Sequence, residues 1–355
     1  MQGTRIVIII FIAFALVSCE GDNAISSNNI NSDVTLKQYL ENIDFSGSVL
    51  FKKDGKDIIR ESFGYADKSN SIPNSNNTLY RIGSVSKGIT ALAVQKIKER
   101  GYLESFSQTI GDFVEEFPFG NKLRIHQLLN HKSGFPDLVP TYEKVIIEND
   151  VIMTREDILD SYLEEITEND FLFEPGAKHH YSNTNYFLLA NLVEELSGED
   201  FHTFLRNEIF NPLSMNNTTR GNNSNLANNM AKGYLNGVEN YEYPLQIAFG
   251  SGDLISNISD LEKWLNFWAN SAPKELVDEF IPTPKDIYTE FGYGWFSYIL
   301  EGKRVNFHGG DINGFTSLIA YYPEENAQLI ILSNEENKRT ELDQILDLLI
   351  INNFK

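Results

Sequence analysis

The chain has 355 residues, 41% of them hydrophobic and 22% charged, which is enough apolar material for one or two packed domains and excludes wholesale disorder. Its 29 Lys and Arg face 50 Asp and Glu, and the net charge of -21 repels phosphate backbones and excludes nucleic acid as a natural partner. The single cysteine cannot pair within the chain, and a body of this size needs neither a disulfide nor a structural metal to close a core.

Arg5 supplies a short positive start, and Ile6 to Val17 is an unbroken apolar run. It falls short of the roughly 20 residues that span a bilayer, so it reads as the hydrophobic part of an export signal. The run closes with Leu16-Val17-Ser18-Cys19, which resembles a bacterial lipobox. That resemblance implies a signal peptide over 1–18 and lipidation at Cys19. The protein is then exported and lipid-anchored to the cell envelope, facing the periplasm or on the outer membrane, with Glu20 favouring the latter. Residues 19–34 are rich in Asn, Ser and Asp without a periodic apolar face, and form a flexible tether reaching roughly 20 Å.

Residues 35–355 carry no repeat and no second linker, so a single domain is expected. Asp54-Gly55 lies between GSVLFKK and KDIIRESFGY, which predicts a β-hairpin over Gly47 to Asp67. Ser84 to Arg100 has Val85, Ile89, Leu92, Ala93 and Ile97 at helical spacing and ends at Gly101. The stretch from about 105 to 280 is mostly helical, with apolar stripes at Phe187 to Leu196 before Gly198 and at Phe201 to Phe210. Strand signals return near Gly292, at Phe315 to Tyr322 and at Gln328 to Ser333, followed by an amphipathic helix over Thr340 to Ile351. Sheet, helices, sheet implies that the chain's ends meet in one antiparallel sheet flanked by helices, an α/β (α+β) fold with an inserted, mostly helical lobe. The sheet lobe takes about 35–100 and 285–355, the helical lobe about 101–284, and a cleft lies between them.

Neither GxSxG nor HExxH occurs, and no strand leads into a nucleotide-binding glycine loop. Ser84-Val85-Ser86-Lys87, however, opens the helix at 84–100. Residues three apart share a helix face, so the Lys87 ammonium can reach the Ser84 hydroxyl beside unpaired N–H groups at the positive end of the dipole. That setting activates a serine. Ser271-Ala272-Pro273-Lys274 has the same spacing but carries a central proline and no apolar helix after it. Likewise Tyr181-Ser182-Asn183 precedes a well-capped helix, whereas Tyr234-Leu235-Asn236 lies in a Gly- and Asn-rich stretch.

Taken in chain order, GYAD (64–67), YRIGSVSKGITAL (80–92), LLNHKSGFPD (128–137), FEPGAKHHYSNTNYFLLA (173–190), NPLSMNNT (211–218), GSGDLISNISDL (250–261), YGWF (293–296) and FHGGDINGF (307–315) resemble the serine beta-lactamase and penicillin-binding protein family, nearest to its class C beta-lactamase and DD-peptidase-like branch. The resemblance implies a beta-lactamase/transpeptidase-like fold and a serine hydrolase working through an acyl-enzyme without cofactor or metal. By the same resemblance Ser84 is the nucleophile, Lys87 its proton-handling partner and Tyr181 the general base, with relay through Lys87 equally compatible. Asn183 orients Lys87 and binds substrate, His308-Gly309-Gly310 form the substrate edge, and the N–H groups of Ser84 and Asp311 form an oxyanion hole. A Lys87 ammonium is expected to favour the Tyr181 phenolate.

His308 stands where better-known relatives carry lysine. A histidine is mostly neutral at pH 7 and gives a substrate carboxylate no permanent cation. The expected substrates are therefore amides or esters, such as D-amino-acid peptides or peptidoglycan-related peptides, with poor beta-lactam turnover. A true class C-like beta-lactamase and a noncatalytic peptidoglycan- or beta-lactam-binding sensor are the alternatives. His126, His131, His179 and His180 are read as structural or surface residues, His202 as a surface residue, and Asp253 and Asp260 as helix caps or solvated positions. Trp264 and Trp268, four apart on a helix, are read as core, while Trp295 is a candidate for the cleft wall.

Overall fold

Asp54 and Gly55 both adopt positive φ, 50° and 74°, which lets a two-residue loop match the twist of its flanking strands. The turn joins β1 (Gly47–Lys53) to β2 (Lys56–Phe63), with Gly47 opposite Phe63. The far half of the chain adds β3 (Glu290–Phe291), β4 (Phe296–Leu300), β5 (Lys303–Ile312), β6 (Phe315–Tyr322) and β7 (Ala327–Ser333). The seven strands lie in the order β3-β4-β5-β6-β7-β1-β2, every neighbour antiparallel, and Gly47 of β1 also faces Ser333 of β7. The two ends of the chain thus share one sheet. This computed structural model describes residues 34–352 except 115–116, 150, 222–228, 241–242 and 285–288; the expected signal at 1–18, Cys19 and the tether up to residue 33 lie outside the described residues.

Six helices frame the sheet and the site: α1 (Leu36–Asn42), α2 (Ser86–Glu99), α3 (Val139–Asn149), α4 (Asn183–Ser197), α5 (Ile258–Asn266) and α6 (Arg339–Ile351). Alternation along β6 explains the layering. Leu318, Ala320 and Tyr322 pack with Leu342, Ile345, Leu346 and Leu349 of α6 and with Leu36 and Leu40 of α1. Ile319 and Tyr321 face the larger core built by α2, α4 and α5. A sheet covered on both faces needs apolar residues at successive positions, and β6 and β7 are buried throughout. Trp264, Trp268 and Trp295 form one edge-to-face cluster, with centroids 5.6 and 5.8 Å apart, so Trp295 belongs to the core rather than the cleft wall.

The helix boundaries follow their local signals. Gly101 and Gly198 stop α2 and α4 at φ +82° and +66°. α4 starts at Asn183, earlier than the apolar stripe alone indicates, because Ser182 is held extended by contacts outside the helix. The apolar stripe from Phe201 is a short helix (Phe201–Leu205) that widens into a π turn over Arg206–Phe210. Most important for the site, β4 pairs with β5 only from Lys303 to Phe307. Beyond that point His308–Ile312 pairs with β6 alone, leaving the opposite edge of the strand open.

Candidate active site

Ser84 lies in a 3-10 turn, Gly83–Val85, that leads directly into α2, and neither turn nor helix has a side-chain cap. The N–H groups and dipole of the helix start are thereby left to whatever enters the cleft. Gly83 makes this placement possible. Its φ is +48°, and a Cβ would lie 2.9 Å from the Asp311 nitrogen and 3.0 Å from its carbonyl oxygen, so the serine turn and the open edge of β5 approach at backbone distance.

Lys87 is fully buried. Its Nζ donates to Ser84 Oγ at 2.9 Å, to Asn183 Oδ1 at 2.7 Å and to the Ser251 carbonyl at 2.9 Å. As an ammonium it uses all three donors on these acceptors; as the neutral amine it donates to two of them and accepts from the Ser84 hydroxyl. Burial lowers its pKa from 10.5 to about 7, opposed by the charge of Asp137. Asn183 Nδ2 donates to Asp137 Oδ2 at 2.9 Å, so the amide links the amine to a carboxylate across the cleft. Asp137 closes the quoted LLNHKSGFPD stretch but carries no spacing signal of its own; only the folded chain brings it to Asn183.

Tyr181 closes the cluster. Its hydroxyl hydrogen-bonds Ser84, and its ring lies under Lys87 Nζ at 4.9 Å from the centroid. The electrostatics differ from the sequence expectation. Burial raises the phenol above its ordinary range, and the hydrogen bond to Ser84 offsets this only in part. The reason is that one desolvated environment disfavours both charges: it strips the proton from Lys87 and keeps the proton on Tyr181.

Behind this cluster, His131 holds the tyrosine segment in place. Its Nδ1 accepts from Ser182 N and Asn185 Nδ2, both at 3.2 Å, and its ring stacks on Tyr181 at 4.2 Å. His126 Nδ1 lies 3.0 Å from the Phe106 carbonyl. His179 is half-buried against His131 and Phe291 and is lowered to about 4 by burial. These are structural roles.

His202 is a correction to the sequence reading. It is buried, and its Nε2 lies 2.8 Å from Asp253 Oδ2. Asp253 is neither a cap nor solvated: fully buried, its Oδ1 accepts from Gly250 N at 3.1 Å, while Gly250 O accepts from Thr90 Oγ1 at 2.6 Å. The pair fixes the turn whose next carbonyl, Ser251 O, receives Lys87. Asp260 is also buried, where its Oδ2 accepts from Asn217 N, Thr218 N and Thr218 Oγ1. Sequence reasoning misplaced these residues because a buried carboxylate looks like an exposed one until its partners, some 40 to 50 positions away, are known. We expect Asp253→Ala to lower stability by about 2–3 kcal/mol, because it orphans the Gly250 amide and a buried imidazole; urea unfolding measures this, and turnover falls with it as the Ser251 carbonyl loosens.

On the opposite wall, His308 and Gly309-Gly310 lie along the open edge of β5. His308 is buried, and its Nδ1 is 2.6 Å from Gly309 O. A carbonyl only accepts, so Nδ1 carries the proton and Nε2, which has no partner among the described residues, presents a lone pair. Burial, reinforced by the charge of Lys87, lowers its pKa to about 3. It is neutral at any ordinary pH, further from a lysine substitute than an unperturbed histidine. Gly310 is required sterically, since a Cβ would stand 2.0 Å from Ile82 O and 2.5 Å from Ser317 Oγ. Gly310→Ala should destabilise by about 1–3 kcal/mol and displace the Asp311 amide from the serine turn; denaturant unfolding and the turnover rate check both effects. The decoy motifs fall elsewhere: Lys274 is exposed and paired with Asp278, and the Tyr234 hydroxyl accepts from Lys68 N at 2.7 Å.

A serine buttressed by a buried amine and a phenol, where an antiparallel sheet meets a helical insertion, defines a serine hydrolase. The family model described as Beta-lactamase matches residues 36–350, and the chain belongs to that family. It is 30% identical to a penicillin-binding protein of Bacillus subtilis over 85% of this chain and 70% of that one. It is 27% identical to the protein flp of Staphylococcus aureus over 81% of this chain, and spans 59% of that relative's length. Among solved structures it resembles a D-amino acid amidase from Ochrobactrum anthropi, with a TM-score of 0.73 and 23% identity over 87% of this chain and 95% of that one.

Proposed function

We propose that this protein hydrolyses amides or esters of D-amino acids or peptidoglycan-related peptides through an acyl-Ser84 intermediate, and turns over beta-lactams poorly. The observation that carries this reading is the contact set of Lys87 Nζ, which ties Ser84 to Asn183 and Ser251 within 2.9 Å inside a buried site. Ser84 Oγ adds to the substrate carbonyl as its proton passes to neutral Lys87 Nζ, and the oxyanion is received by the N–H groups of Ser84 and Asp311. When the C–N or C–O bond breaks, Tyr181 gives its phenolic proton to the leaving group and is resupplied from Lys87. Water then adds to the ester, its proton returns along the same path, and Ser84 leaves. Donors of the oxyanion type contribute about 3 to 4 kcal/mol each to transition-state stabilisation. Neutral His308 supports poor beta-lactam turnover, because it offers the carboxylate of those compounds no positive charge where better-known relatives carry lysine.

The test is a panel of D- and L-aminoacyl amides, their esters and a chromogenic cephalosporin, followed to steady state with intact-protein mass spectrometry. Continuous turnover of D-configured amides or esters, with a transient acyl adduct on Ser84, is expected. Cephalosporin turnover exceeding that of amides and esters overturns the substrate reading in favour of a beta-lactamase, and a stable adduct without turnover overturns it in favour of a sensor. We further propose anchoring through lipidated Cys19: an alkyne fatty acid fed to expressing bacteria should label the protein, and Cys19→Ser should abolish the label.

A further inference from the structure

Four successive residues at the entry to α4, Ser182 to Asn185, each bond the loop that carries His131 and Asp137. Ser182 Oγ donates to the Pro136 carbonyl at 3.1 Å and Asn183 Nδ2 to Asp137 Oδ2 at 2.9 Å, while Thr184 Oγ1 accepts from Leu138 N and Asn185 Oδ1 from Ser133 Oγ, both at 2.8 Å. Asp137 Oδ1 accepts in turn from Val139 N at 3.3 Å. The carboxylate is thereby held at a fixed point beside the Asn183 amide. An amide can face its neighbours in two orientations of nearly equal shape, but a carboxylate only accepts. It takes Nδ2 and so turns Oδ1 to Lys87 Nζ, 2.7 Å away.

That orientation matters most when Lys87 is a neutral amine. With its two N–H bonds given to Asn183 Oδ1 and the Ser251 carbonyl, its lone pair is left for the Ser84 hydroxyl. A turned amide would aim Nδ2 at the same lone pair and compete with the serine for it. Charge adds a second effect. Around Lys87 stand Tyr181 and Tyr186, whose ring centroids lie 4.9 and 5.7 Å from Nζ, and the imidazoles of His131 and His308. Burial keeps those phenols protonated and those imidazoles neutral. Asp253 and Asp311, on the flanking elements, are engaged with His202 and Arg339, and Asp137 is the carboxylate whose charge favours the Lys87 ammonium against burial. We propose that Asp137 is a positioning residue that locks the Asn183 amide oxygen toward Lys87 and sets the pH at which that amine can take the serine proton. This rests on the reading of Ser84 and Lys87 as nucleophile and base, and adds to it the group that governs its pH range.

The experiment follows the second-order rate of Ser84 labelling by a fluorophosphonate against pH, a readout of serine deprotonation that needs no choice of substrate, with the thermal midpoint of each variant beside it. Asp137→Asn keeps a carbonyl for Asn183 Nδ2 and removes only the charge. Losing a nearby negative charge lowers the lysine pKa, so the acid limb of the profile should move about half to one pH unit toward acid, with the plateau within about threefold of wild type. Asp137→Leu removes the acceptor as well, and its plateau should fall about ten- to a hundredfold. Recovery of that plateau by the isosteric Asn separates lost positioning from general damage, and the pH shift in Asp137→Asn carries the test by itself if Asp137→Leu does not fold. An acid limb that stays in place in Asp137→Asn, or an unchanged plateau in folded Asp137→Leu, overturns the proposal. Labelling that persists in Ser84→Ala, or a profile unaltered in Lys87→Met, would instead overturn the proposed nucleophile or base, a separate outcome.

Discussion

Ser84→Ala is expected to abolish covalent labelling by a fluorophosphonate probe and to lower hydrolysis about 10⁴-fold or more, because the proposed acyl bond forms on the Ser84 oxygen. The fold should survive. Lys87 keeps Asn183 Oδ1 and the Ser251 carbonyl as acceptors when the hydroxyl is gone, so stability should change by less than about 1 kcal/mol. Labelling by gel fluorescence, turnover by product release and the thermal midpoint by calorimetry separate the chemical loss from a structural one. Residual labelling at another serine would show that the nucleophile lies elsewhere, and Ser271 of the second SxxK match would be the first to examine.

Lys87→Met should cost about 10³-fold or more in kcat/KM, the scale of losing a positioned base together with the group that orients the nucleophile. The wild-type pH profile carries the mechanistic content. With a Lys87 pKa of about 7, the amine is protonated below that value and cannot take the serine proton. kcat/KM should therefore rise with pH through about 7, falling roughly tenfold per unit on the acid side. A profile governed only by the tyrosine would rise far above pH 9, since burial pushes the phenol up. Stability follows by linkage. Below about pH 7 both folded and unfolded chains hold the Lys87 proton, and the cost of burying the charge is present in full. Between about 7 and 10.5 the folded chain has released it while the unfolded chain retains it, so this group makes stability rise with pH by at most about 1.4 kcal/mol per unit. Urea midpoints across that window should lose this slope in Lys87→Met. An unchanged slope would mean that the buried lysine is charged at neutral pH.

Some of the site was legible because its chemistry is local. Ser84 and Lys87 are one helical turn apart, and the apolar spacing from Val85 to Ile97 with Gly101 after it marks the helix they open. Tyr181 and Asn183 were legible as a short pattern before a helix. The strand carrying His308 was harder, since the adjacent glycines of KRVNFHGGDI break the alternation that marks a strand, and the resemblance of FHGGDINGF to a family signature supplied it instead. Asp137, Arg339 and the pair His202 and Asp253 had no comparable signal. Each acts through partners tens of residues away, and each looks, in sequence, like any charged or polar residue near a helix end.

The sequence by itself determined the hairpin, the serine-bearing helix and the meeting of the chain's two ends in one sheet, because turn chemistry and apolar periodicity are properties of neighbouring residues. Tertiary structure alone decided the burial of Lys87, Tyr181 and His308, and with it the direction in which each is shifted. Burial depends on what the rest of the chain places around a group, and the same packing that lowers Lys87 raises Tyr181 and silences His308. Arg339 of α6 reaches the Gly310 carbonyl and the Asp311 side chain only once the sheet has closed between the two ends of the chain.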